Sequence, residues 1–402
     1  MADTITLTNE QAKALVEQYG SPLYVYDEAV LRKRCREMKH LVNYPHYVPL
    51  YSVKANTNIE LMKIIREEGF HVDAMSEGEI LLEQKAGYKP DEIFMVTNNI
   101  SDAEIRFAID HGVLMSCDSL SQLDRFGRLC PGGRVAVRVN PGMGAGHSDK
   151  VITAGSCKFG VEYSKADLIK EVAAKYDLKI VGLNQHVGSL FLEYNTFIEA
   201  CKILFDLAKQ FEGLELIDFG GGYGVPYNGE RRLDLEGLGR ELDKLIGDFV
   251  AEYGNPNLKI YTEAGRYIVA ECGELLGTVY SQKKVYGVKY VGTDLGFNVL
   301  IRPILYDSYH QVEVFNDSED YETVNIAGDI CESGDILAYN RYLPIMHHGD
   351  IVGVKNAGAY GYAMASNYNS RLRPAEVLLC EDGTTRLIRK RDTYEMLLNQ
   401  MT

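Results

Sequence analysis

The chain has 402 residues, of which 46% are hydrophobic, and a formal net charge of −15 at pH 7. A chain of this length can bury a large core and fits two domains. Its acidic balance disfavours nucleic acid and anionic membranes as partners, although it is compatible with a local anion site.

The cysteine pattern and the apolar runs indicate the compartment. The eight cysteines include no CxxC pair, and no run approaches the length of a transmembrane helix. The first residues, Met1 to Thr4, carry no charged-then-apolar targeting signal. We therefore expect a cytoplasmic protein with reduced thiols. No metal-ligand spacing is present, and His347 and His348 are interpreted as a surface loop pair, so no metal is expected.

The N-terminal segment predicts one helix and one strand. Thr8 and Gln11 have the spacing of a capping box, and Gly20 stands where that helix is expected to end. The run Leu23–Tyr26 is typical of a strand. We assign this segment to the C-terminal β domain described below.

Eight short apolar runs then alternate with helical stretches. The runs begin near His46, His71, Glu92, Leu114, Arg134, Leu178, Leu214 and Leu258. Helical periodicity is clear over 58–68 and 196–205, and Gly69 and Gly87 stand where helix C-caps are expected. Eight alternations predict a (β/α)8 TIM-like barrel of about 250 residues, with an open doubly wound sheet as the alternative.

The pattern changes after Val269, where short alternating runs with turns indicate an antiparallel β-barrel or sandwich. These runs cover 275–282, 284–292, 324–327, 350–354 and 375–379. A final helix is predicted over 393–400. The chain is therefore predicted to be an α/β protein, with a barrel domain over 28–269 and a β domain formed by 1–27 and 270–402.

Polar or glycine residues end most of the predicted barrel strands. They are Lys54, Asp73, Arg138, His186, Gly220 to Gly222, and Glu263. The carboxyl ends of barrel strands converge on one face, so these residues are expected to share a site. A desolvated lysine at such a place suits Schiff-base chemistry, whereas an isolated lysine at a strand end more often reaches solvent.

Two glycine-containing turns predict a phosphate site. The turn Asp218–Val225 lacks the third glycine of a dinucleotide fingerprint, but its bare glycines allow backbone N–H groups to approach a phosphate. The turn Glu263–Arg266 ends the next strand, and strands seven and eight are where barrels usually bind phosphate. A lysine, a phosphate site and the Glu263 carboxylate together indicate pyridoxal 5′-phosphate, whose ring nitrogen the carboxylate would keep protonated.

Eight short motifs follow one another along nearly the whole chain. They are Tyr51-Ser-Val-Lys-Ala-Asn56, His186-Val-Gly-Ser189, Gly220-Gly-Gly-Tyr-Gly224, Glu263-Ala-Gly-Arg266, Arg302-Pro-Ile-Leu-Tyr306, Cys331-Glu-Ser-Gly-Asp335, Gly358-Ala-Tyr360 and Tyr368-Asn-Ser-Arg-Leu-Arg-Pro-Ala-Glu376. Each is weakly specific alone, but in this order the set resembles the diaminopimelate decarboxylases, among the alanine-racemase-like (fold type III) pyridoxal phosphate enzymes. The resemblance implies a barrel followed by a β domain.

The resemblance also implies roles in a cofactor pocket. Lys54 resembles the Schiff-base lysine, His186 the residue that stacks on the cofactor ring, and Glu263 the partner of the pyridinium nitrogen. Asp73 would support the pocket behind the ring. The phosphate and its surroundings would be held by Ser189, Gly221, Gly222, Gly265, Arg266 and Tyr360. Without the family context, His186 would more often be a core histidine.

Cys331 resembles the family's cysteine that one subunit contributes to the active site of its partner, where it helps to protonate the carbanion left after CO2 departs. This resemblance implies a homodimer with active sites at the subunit interface. Without the family context, a buried inert thiol would be the more common role for such a cysteine.

The implied substrate has an amino acid group at each end. Arg266 and Arg302 match the family's clamp for a carboxylate far from the reacting carbon, which a planar guanidinium can grip bidentately. Glu332 and Tyr306 match the positions that receive the distal ammonium and carboxylate, and Tyr360 is also expected at the substrate. The implied reaction converts meso-diaminopimelate to L-lysine and CO2, the last step of lysine biosynthesis. The alternative role for Arg302 is an ordinary ion pair at a domain interface.

Four residues near the pocket depart from the family's usual pattern and put the substrate range in doubt. They are Ala264, Leu190, Cys157 and Asn184. Two other functions therefore stay open. One is a sister decarboxylase acting on D-ornithine, D-lysine or carboxynorspermidine, against which the distal arginines argue. The other is a non-catalytic regulatory relative, against which the intact Lys54, Glu263 and Cys331 argue.

Overall fold

The computed structural model describes residues 2–144, 146 and 152–402. Spatial contacts divide the chain into two units. The β unit comprises Met1–Arg34, Pro226–Glu230 and Ile268–Thr402, and the barrel unit comprises Cys35–Val225 and Arg231–Tyr267. The sequence predicts the barrel domain over 28–269, whereas the barrel unit begins at Cys35, ends at Tyr267 and lacks Pro226–Glu230.

The N-terminal segment folds as the sequence indicates. Its elements are helix α1 (Asn9–Tyr19), strand β1 (Leu23–Asp27) and helix α2 (Glu28–Lys39). The capping box between Thr8 and Gln11 is formed, and Gly20 follows α1 with φ of +82°. Strand β1 belongs to the sheet of the β unit, as assigned above.

The barrel unit contains a closed ring of eight parallel strands, which confirms the predicted TIM-like barrel and excludes the open sheet. The strands of this unit are β2 (Tyr47–Ser52), β3 (His71–Ala74), β4 (Ile93–Thr97), β5 (Leu114–Cys117), β6 (Arg134–Asn140), β7 (Val161–Glu162), β8 (Lys179–Asn184), β9 (Leu216–Gly221) and β10 (Lys259–Ala264). The order around the ring is β5, β4, β3, β2, β10, β9, β8 and β6, and a β5–β6 pairing closes it. The short β7 pairs with β6 alone.

Helices alternate with these strands. They are α3 (Ile59–Glu67), α4 (Glu77–Ala86), α5 (Asp102–Asp110), α6 (Leu120–Leu129), α7 (Ala166–Lys175), α8 (Asn195–Ala208), α9 (Leu235–Tyr253) and the short α10 (Arg266–Val269). In α3 the Asn58 side chain accepts a hydrogen bond from the backbone N–H of Glu60, and Gly87 ends α4 with φ of +104°. Such caps satisfy backbone groups that a helix end leaves without partners.

The β unit is a nine-stranded sheet flanked by short helices. Its further elements are β11 (Gly273–Val285), β12 (Val288–Thr293), α11 (Arg302–Tyr306), β13 (Val312–Phe315), β14 (Tyr321–Ala327), β15 (Ile336–Pro344), β16 (Ile351–Val354), β17 (Ala375–Leu379), β18 (Thr385–Arg389) and α12 (Tyr394–Asn399). Most pairings are antiparallel as expected, but β1–β17 and β12–β14 are parallel. Ile5, Leu15, Leu23, Val25 and Leu276 belong to its apolar core.

The sequence prediction of this unit needs two corrections. Strands β13, β15 and β18 were not predicted, because β13 has only four residues and the other two are mostly exposed or half-buried and lack a clear apolar alternation. The run predicted over 284–292 contains a two-residue turn at Tyr286 and Gly287, so it contributes to both β11 and β12. In the described ranges, no helix combines the length and apolarity that crossing a membrane requires.

Candidate active site

Lys54 lies at the carboxyl end of β2, in a single turn of 3₁₀ helix that follows the strand. Ser52, two residues earlier, contacts the strands on both sides of β2, which are β3 and β10. Its hydroxyl lies 3.2 Å from Oδ2 of Asp73 on β3 and 3.3 Å from the carbonyl oxygen of Glu263 on β10. The parallel register of β3, β2 and β10 therefore brings Lys54, Asp73 and Glu263 to one end of the barrel, as predicted.

The carboxyls of Asp73 and Glu263 are buried, with exposed fractions of 0% and 2%. Burial raises the pKa of both groups well above the ordinary range, and each is also raised by a neighbouring carboxylate. The positive charge of Lys54 acts in the opposite direction on both pKa values. A buried carboxyl keeps its charge only where a cation or donor compensates for lost hydration, so this end of the barrel favours a cationic partner.

His186 is held in one tautomer. Its Nδ1 accepts a hydrogen bond of 3.0 Å from the backbone N–H of Gly221, so the proton of the neutral ring is on Nε2. Burial lowers the pKa of His186 well below its ordinary value, and the positive charges of Lys54 and Arg138 lower it further. Although Nδ1 lies 3.7 Å from Oε2 of Glu263, the two groups do not form an ion pair, because the imidazole is neutral.

Asp218 also belongs to this cluster, a place that was not predicted from its sequence context. It is fully buried on β9, and its Oδ1 accepts a hydrogen bond of 2.8 Å from the backbone N–H of Gly220. Its carboxyl is within hydrogen-bonding reach of the Glu263 carboxyl, and burial raises the pKa of Asp218 to about 7. Burial and the neighbouring Asp218 carboxyl also raise the pKa of Glu263, so this pair favours a protonated carboxyl in the absence of a cation. An aspartate inside an otherwise apolar run was a signal that could have identified its place in the cluster.

The glycine turn after β9 leaves backbone groups accessible because larger residues do not fit. A Cβ on Gly221 would overlap the carbonyl oxygen of Glu263. Gly222 has φ of +110°, and a Cβ there would lie 2.5 Å from the carbonyl oxygen of Gly188. A glycine run of this kind lets N–H groups approach a bound anion.

Ser189 and Arg266 provide side-chain groups for the same ligand chemistry. Nη2 of Arg266 donates a hydrogen bond of 2.9 Å to the Ser189 hydroxyl, and Arg266 is only 5% exposed. Gly265, just before Arg266, packs against β2, since a Cβ on it would lie 2.9 Å from that of Ser52. The structure thus brings Ser189, Gly265 and Arg266 into one part of the barrel unit.

The residues that depart from the family pattern also lie in this unit. Leu190 has φ of +67°, a conformation that costs a non-glycine residue about 1–2 kcal/mol. Asn184 is fully buried on β8 and accepts a short hydrogen bond from Ser116. Ala264 is fully buried at the end of β10, and Sγ of Cys157 lies 3.7 Å from Nδ2 of Asn140. None of these contacts involves Lys54, His186 or Glu263.

Arg302 and Tyr306 are brought together at the two ends of α11 in the β unit. Arg302 is only 1% exposed, and its guanidinium carbon lies 5.9 Å from the ring centre of Tyr306 and 5.5 Å from that of Tyr227. Its Nε lies 3.3 Å from Nε2 of His310, a residue to which the sequence analysis gave no role. A buried guanidinium suits a site where a carboxylate must be held.

Cys331, Glu332 and Tyr360 lie on loops of the β unit. Cys331 and Glu332 have exposed side chains in the single chain. The backbone N–H of Cys331 donates to Oδ1 of Asn369, and the Glu332 carboxylate accepts a hydrogen bond of 2.7 Å from the Tyr368 hydroxyl. The backbone of Tyr360 is in the left-handed region, with φ of +56°.

The barrel cluster fits pyridoxal phosphate. Oε1 of Glu263 is buried and accepts no hydrogen bond from any N–H or O–H group in the described part of the chain, so it can accept the N–H of a protonated pyridine ring. The amine of Lys54, the neutral ring of His186 and the glycine turn provide the other groups that such a ligand needs.

Comparisons with known proteins show the family to which the chain belongs. Residues 28–270 match the family model for the pyridoxal binding domain of pyridoxal-dependent decarboxylases. The diaminopimelate decarboxylase of Methanothermobacter thermautotrophicus is 41% identical, over 96% of this chain and 93% of that protein. That of Escherichia coli K12 is 34% identical, over 98% of this chain and 96% of that protein. The crystal structure of Helicobacter pylori diaminopimelate decarboxylase complexed with L-lysine is 30% identical with a TM-score of 0.89, covering 96% of this chain and 98% of that one.

Proposed function

The chain belongs to the diaminopimelate decarboxylase family of pyridoxal-dependent decarboxylases, and on that premise we propose that it converts meso-2,6-diaminopimelate to L-lysine and CO2 with pyridoxal 5′-phosphate. The observation that carries the proposal is the cluster of Lys54, His186 and Glu263 at the carboxyl ends of the barrel strands. Their parallel strands bring an amine, a neutral ring and a buried carboxyl together, which is the combination that this cofactor needs.

The barrel unit would hold the cofactor at three points. Lys54 would bind it covalently through its amine, and the neutral ring of His186 would lie against the cofactor ring. The hydroxyl of Ser189, the guanidinium of Arg266 and backbone N–H groups near Gly221, Gly222 and Gly265 would hold the phosphate. The family resemblance assigns Tyr360 to the phosphate surroundings as well. Asp73 would support the pocket behind the ring. When bound, the cofactor supplies a conjugated electron sink for the electron pair that departing CO2 leaves on Cα.

Glu263 and Asp218 would keep a proton at the ring nitrogen. Burial raises the pKa of both carboxyls, of Asp218 to about 7. A cationic ring N–H beside Glu263 would form a charge-assisted hydrogen bond with its carboxylate. The negative charge of Glu263 would then stabilise the protonated ring, which withdraws electrons more strongly than the neutral one.

The distal carboxylate of the substrate would be the ligand of the buried Arg302. We propose that Arg302 and Arg266 bind the carboxylate remote from the reacting carbon, and that Glu332 and Tyr306 receive the distal ammonium and carboxylate. Tyr360 would also contact the substrate. A substrate without a distal carboxylate would leave the buried guanidinium of Arg302 without this partner.

A homodimer with shared active sites is part of the proposal. Cys331 would deliver a proton to Cα of the partner subunit's substrate, and Glu332 would act on the same side. The exposure of both side chains in the single chain supports this arrangement, because a residue that serves a neighbouring subunit lies at the surface of its own. A second copy of this chain is therefore the expected partner.

The test is CO2 release, with the amino acid product identified, from cofactor-loaded protein given meso-diaminopimelate, D-lysine or D-ornithine. We expect CO2 and L-lysine from meso-diaminopimelate alone. Release only from a D-amino acid with a single carboxylate would contradict the substrate assignment and indicate a sister decarboxylase. No release from any of the three, despite bound cofactor, would contradict the proposal and favour carboxylated diamines or a regulatory role.

A further inference from the structure

Arg302 is oriented by a histidine. His310 is 1% exposed, and its Nε2 lies 3.3 Å from Nε of Arg302, within the β unit. The Nε of an arginine has one hydrogen, which points away from the terminal Nη groups. A partner at Nε therefore sets the rotation of the guanidinium plane while leaving the terminal groups to face elsewhere. One of them, Nη2, lies 3.4 Å from the Ser308 hydroxyl.

The tautomer of His310 is set by the backbone. Nδ1 of His310 lies 2.8 Å from the carbonyl oxygen of Lys355, and a carbonyl oxygen can only accept a hydrogen bond. Nδ1 therefore carries the proton, and Nε2 has the lone pair that accepts from Arg302. A second proton on this ring would place an N–H group against the N–H of Arg302, so the contact requires neutral imidazole.

Lys355, whose carbonyl oxygen accepts from His310, is fixed by its own contacts. The backbone N–H of Lys355 donates to the carbonyl oxygen of Gln311, and its ammonium lies 3.2 Å from Oε2 of Glu274 and 3.1 Å from Oε2 of Glu313. Lys355 and Glu274 are buried. The carbonyl that orients His310 thus belongs to a residue whose main chain and side chain are both bound.

Tyr227 contacts both members of the pair. Its ring contacts His310 edge to face, with the ring centres 5.2 Å apart, and the guanidinium carbon of Arg302 lies 5.5 Å from its centre. One aromatic ring therefore packs against both members of the Arg302–His310 pair. Rotation of the arginine would break the contact with His310 and the contact with Tyr227 together.

We propose that His310 is a positioning residue that fixes the guanidinium of Arg302 for the carboxylate at the distal end of the substrate. The inference rests on the proposed function, and it deepens that proposal by naming the residue through which the distal carboxylate is selected. An arginine that is already oriented loses little rotamer freedom on binding, so its preorganisation favours ligands that carry this carboxylate over amines that lack it.

The experiment compares two ligands on the cofactor-loaded protein. L-Lysine retains the carboxylate that Arg302 would hold, whereas cadaverine has the two amines and no carboxylate. Dissociation constants are measured by calorimetry for the wild type, for His310→Phe and for His310→Gln. Phenylalanine keeps the ring against Tyr227 but removes the acceptor, while glutamine keeps an acceptor oxygen for Nε of Arg302.

We expect His310→Phe to raise the dissociation constant of L-lysine about ten- to hundredfold, because an oriented hydrogen bond to a charged group is lost, and to leave that of cadaverine unchanged. His310→Gln should recover most of the L-lysine affinity. Equal weakening of both ligands, or unchanged L-lysine binding in His310→Phe, would overturn the proposal. If the wild type neither binds L-lysine nor acts on meso-diaminopimelate, the proposed function itself fails, which is a separate result.

Discussion

Nδ1 of His186 accepts a hydrogen bond of 3.0 Å from the backbone N–H of Gly221, which joins two motifs that are 35 residues apart in the chain. The bond connects the ring that is proposed to lie on the cofactor with the turn that is proposed to hold its phosphate. It also keeps Nδ1 without a proton, so the imidazole beside Lys54 is neutral. A charged ring there would repel the lysine and compete with it for Glu263.

The close packing of Gly221 predicts a severe effect of one methyl group. Gly221→Ala places a Cβ against the carbonyl oxygen of Glu263, and overpacking of this kind costs about 1–3 kcal/mol of unfolding free energy. We also expect weaker cofactor binding, because the turn must shift. Urea unfolding and cofactor titration would measure the two effects. The matched control is Gly247→Ala in α9, which has open space around it and should be neutral or slightly stabilising.

A shared active site predicts complementation between two inactive variants. Lys54→Ala and Cys331→Ala are each expected to lose nearly all CO2 release, because one lacks the amine that is proposed to bind the cofactor and the other the proposed proton donor. In mixed dimers, one of the two sites contains both intact residues. Co-refolded variants should therefore regain about a quarter of the wild-type activity if subunits mix randomly. Mixtures that stay inactive, although mixed dimers are detected by mass spectrometry, would contradict a shared site.

Arg302 is expected to act on the substrate and not on the cofactor. Arg302→Ala should lower kcat/KM for meso-diaminopimelate about 10²–10³-fold, because one preorganised charged contact is lost. Cofactor affinity, measured by fluorescence titration, should stay within error of the wild type. Equal losses of cofactor and activity would show that the buried guanidinium is structural. Lys63→Ala, which removes an exposed side chain of α3, is a suitable control.

The Asp218–Glu263 pair predicts a pH dependence of stability in the cofactor-free protein. Burial raises the folded pKa of Asp218 to about 7, whereas its unfolded value is about 4. The folded state thus binds more protons in this range, so the stabilising contribution is fully present below about pH 4 and is lost as the pH rises to about 7.

Asp218→Asn should therefore make the unfolding free energy fall less steeply between pH 4.5 and pH 7, taken as roughly the window between those two pKa values. Urea denaturation at both pH values, with wild type in parallel, measures the difference in slope. The comparison is between slopes because Glu83, whose pKa burial raises to about 9, contributes equally to both proteins. Identical slopes would mean that the pKa of Asp218 is not raised in the folded protein.

The hairpin between β11 and β12 offers a stability test away from the site. Tyr286 and Gly287 both have positive φ, +47° and +88°, and Tyr286 is fully exposed. Asparagine adopts this conformation more readily than tyrosine, and Asn-Gly is a preferred two-residue turn. Tyr286→Asn should raise the unfolding free energy by about 0.5–1 kcal/mol. Tyr286→Ala loses the same exposed ring without the conformational gain, so an equal rise in both variants would contradict the reasoning.

The sequence alone predicted the barrel, which the fold confirms, and it named the residues of the proposed cofactor pocket. Apolar runs alternating with helices can bury their faces in few ways, and parallel strands bring their carboxyl ends to one face. Local patterns also indicated the capping box at Thr8 and the end of α4 at Gly87, because such signals depend only on neighbouring residues. Lys54 and Glu263 could be named for the same reason, since each ends a strand.

Only the tertiary structure decided which of these groups shift one another's pKa and orient one another. The effect of Asp218 on the pKa of Glu263 depends on the register of two neighbouring strands and on burial, neither of which is encoded in a local pattern. The contact between Arg302 and His310 depends on a carbonyl that follows 45 residues after the histidine. Strand β1 pairs in parallel with β17, more than 300 residues away. Long-range pairing of this kind is selected by the total burial and hydrogen bonding of the fold, so no single segment predicts it.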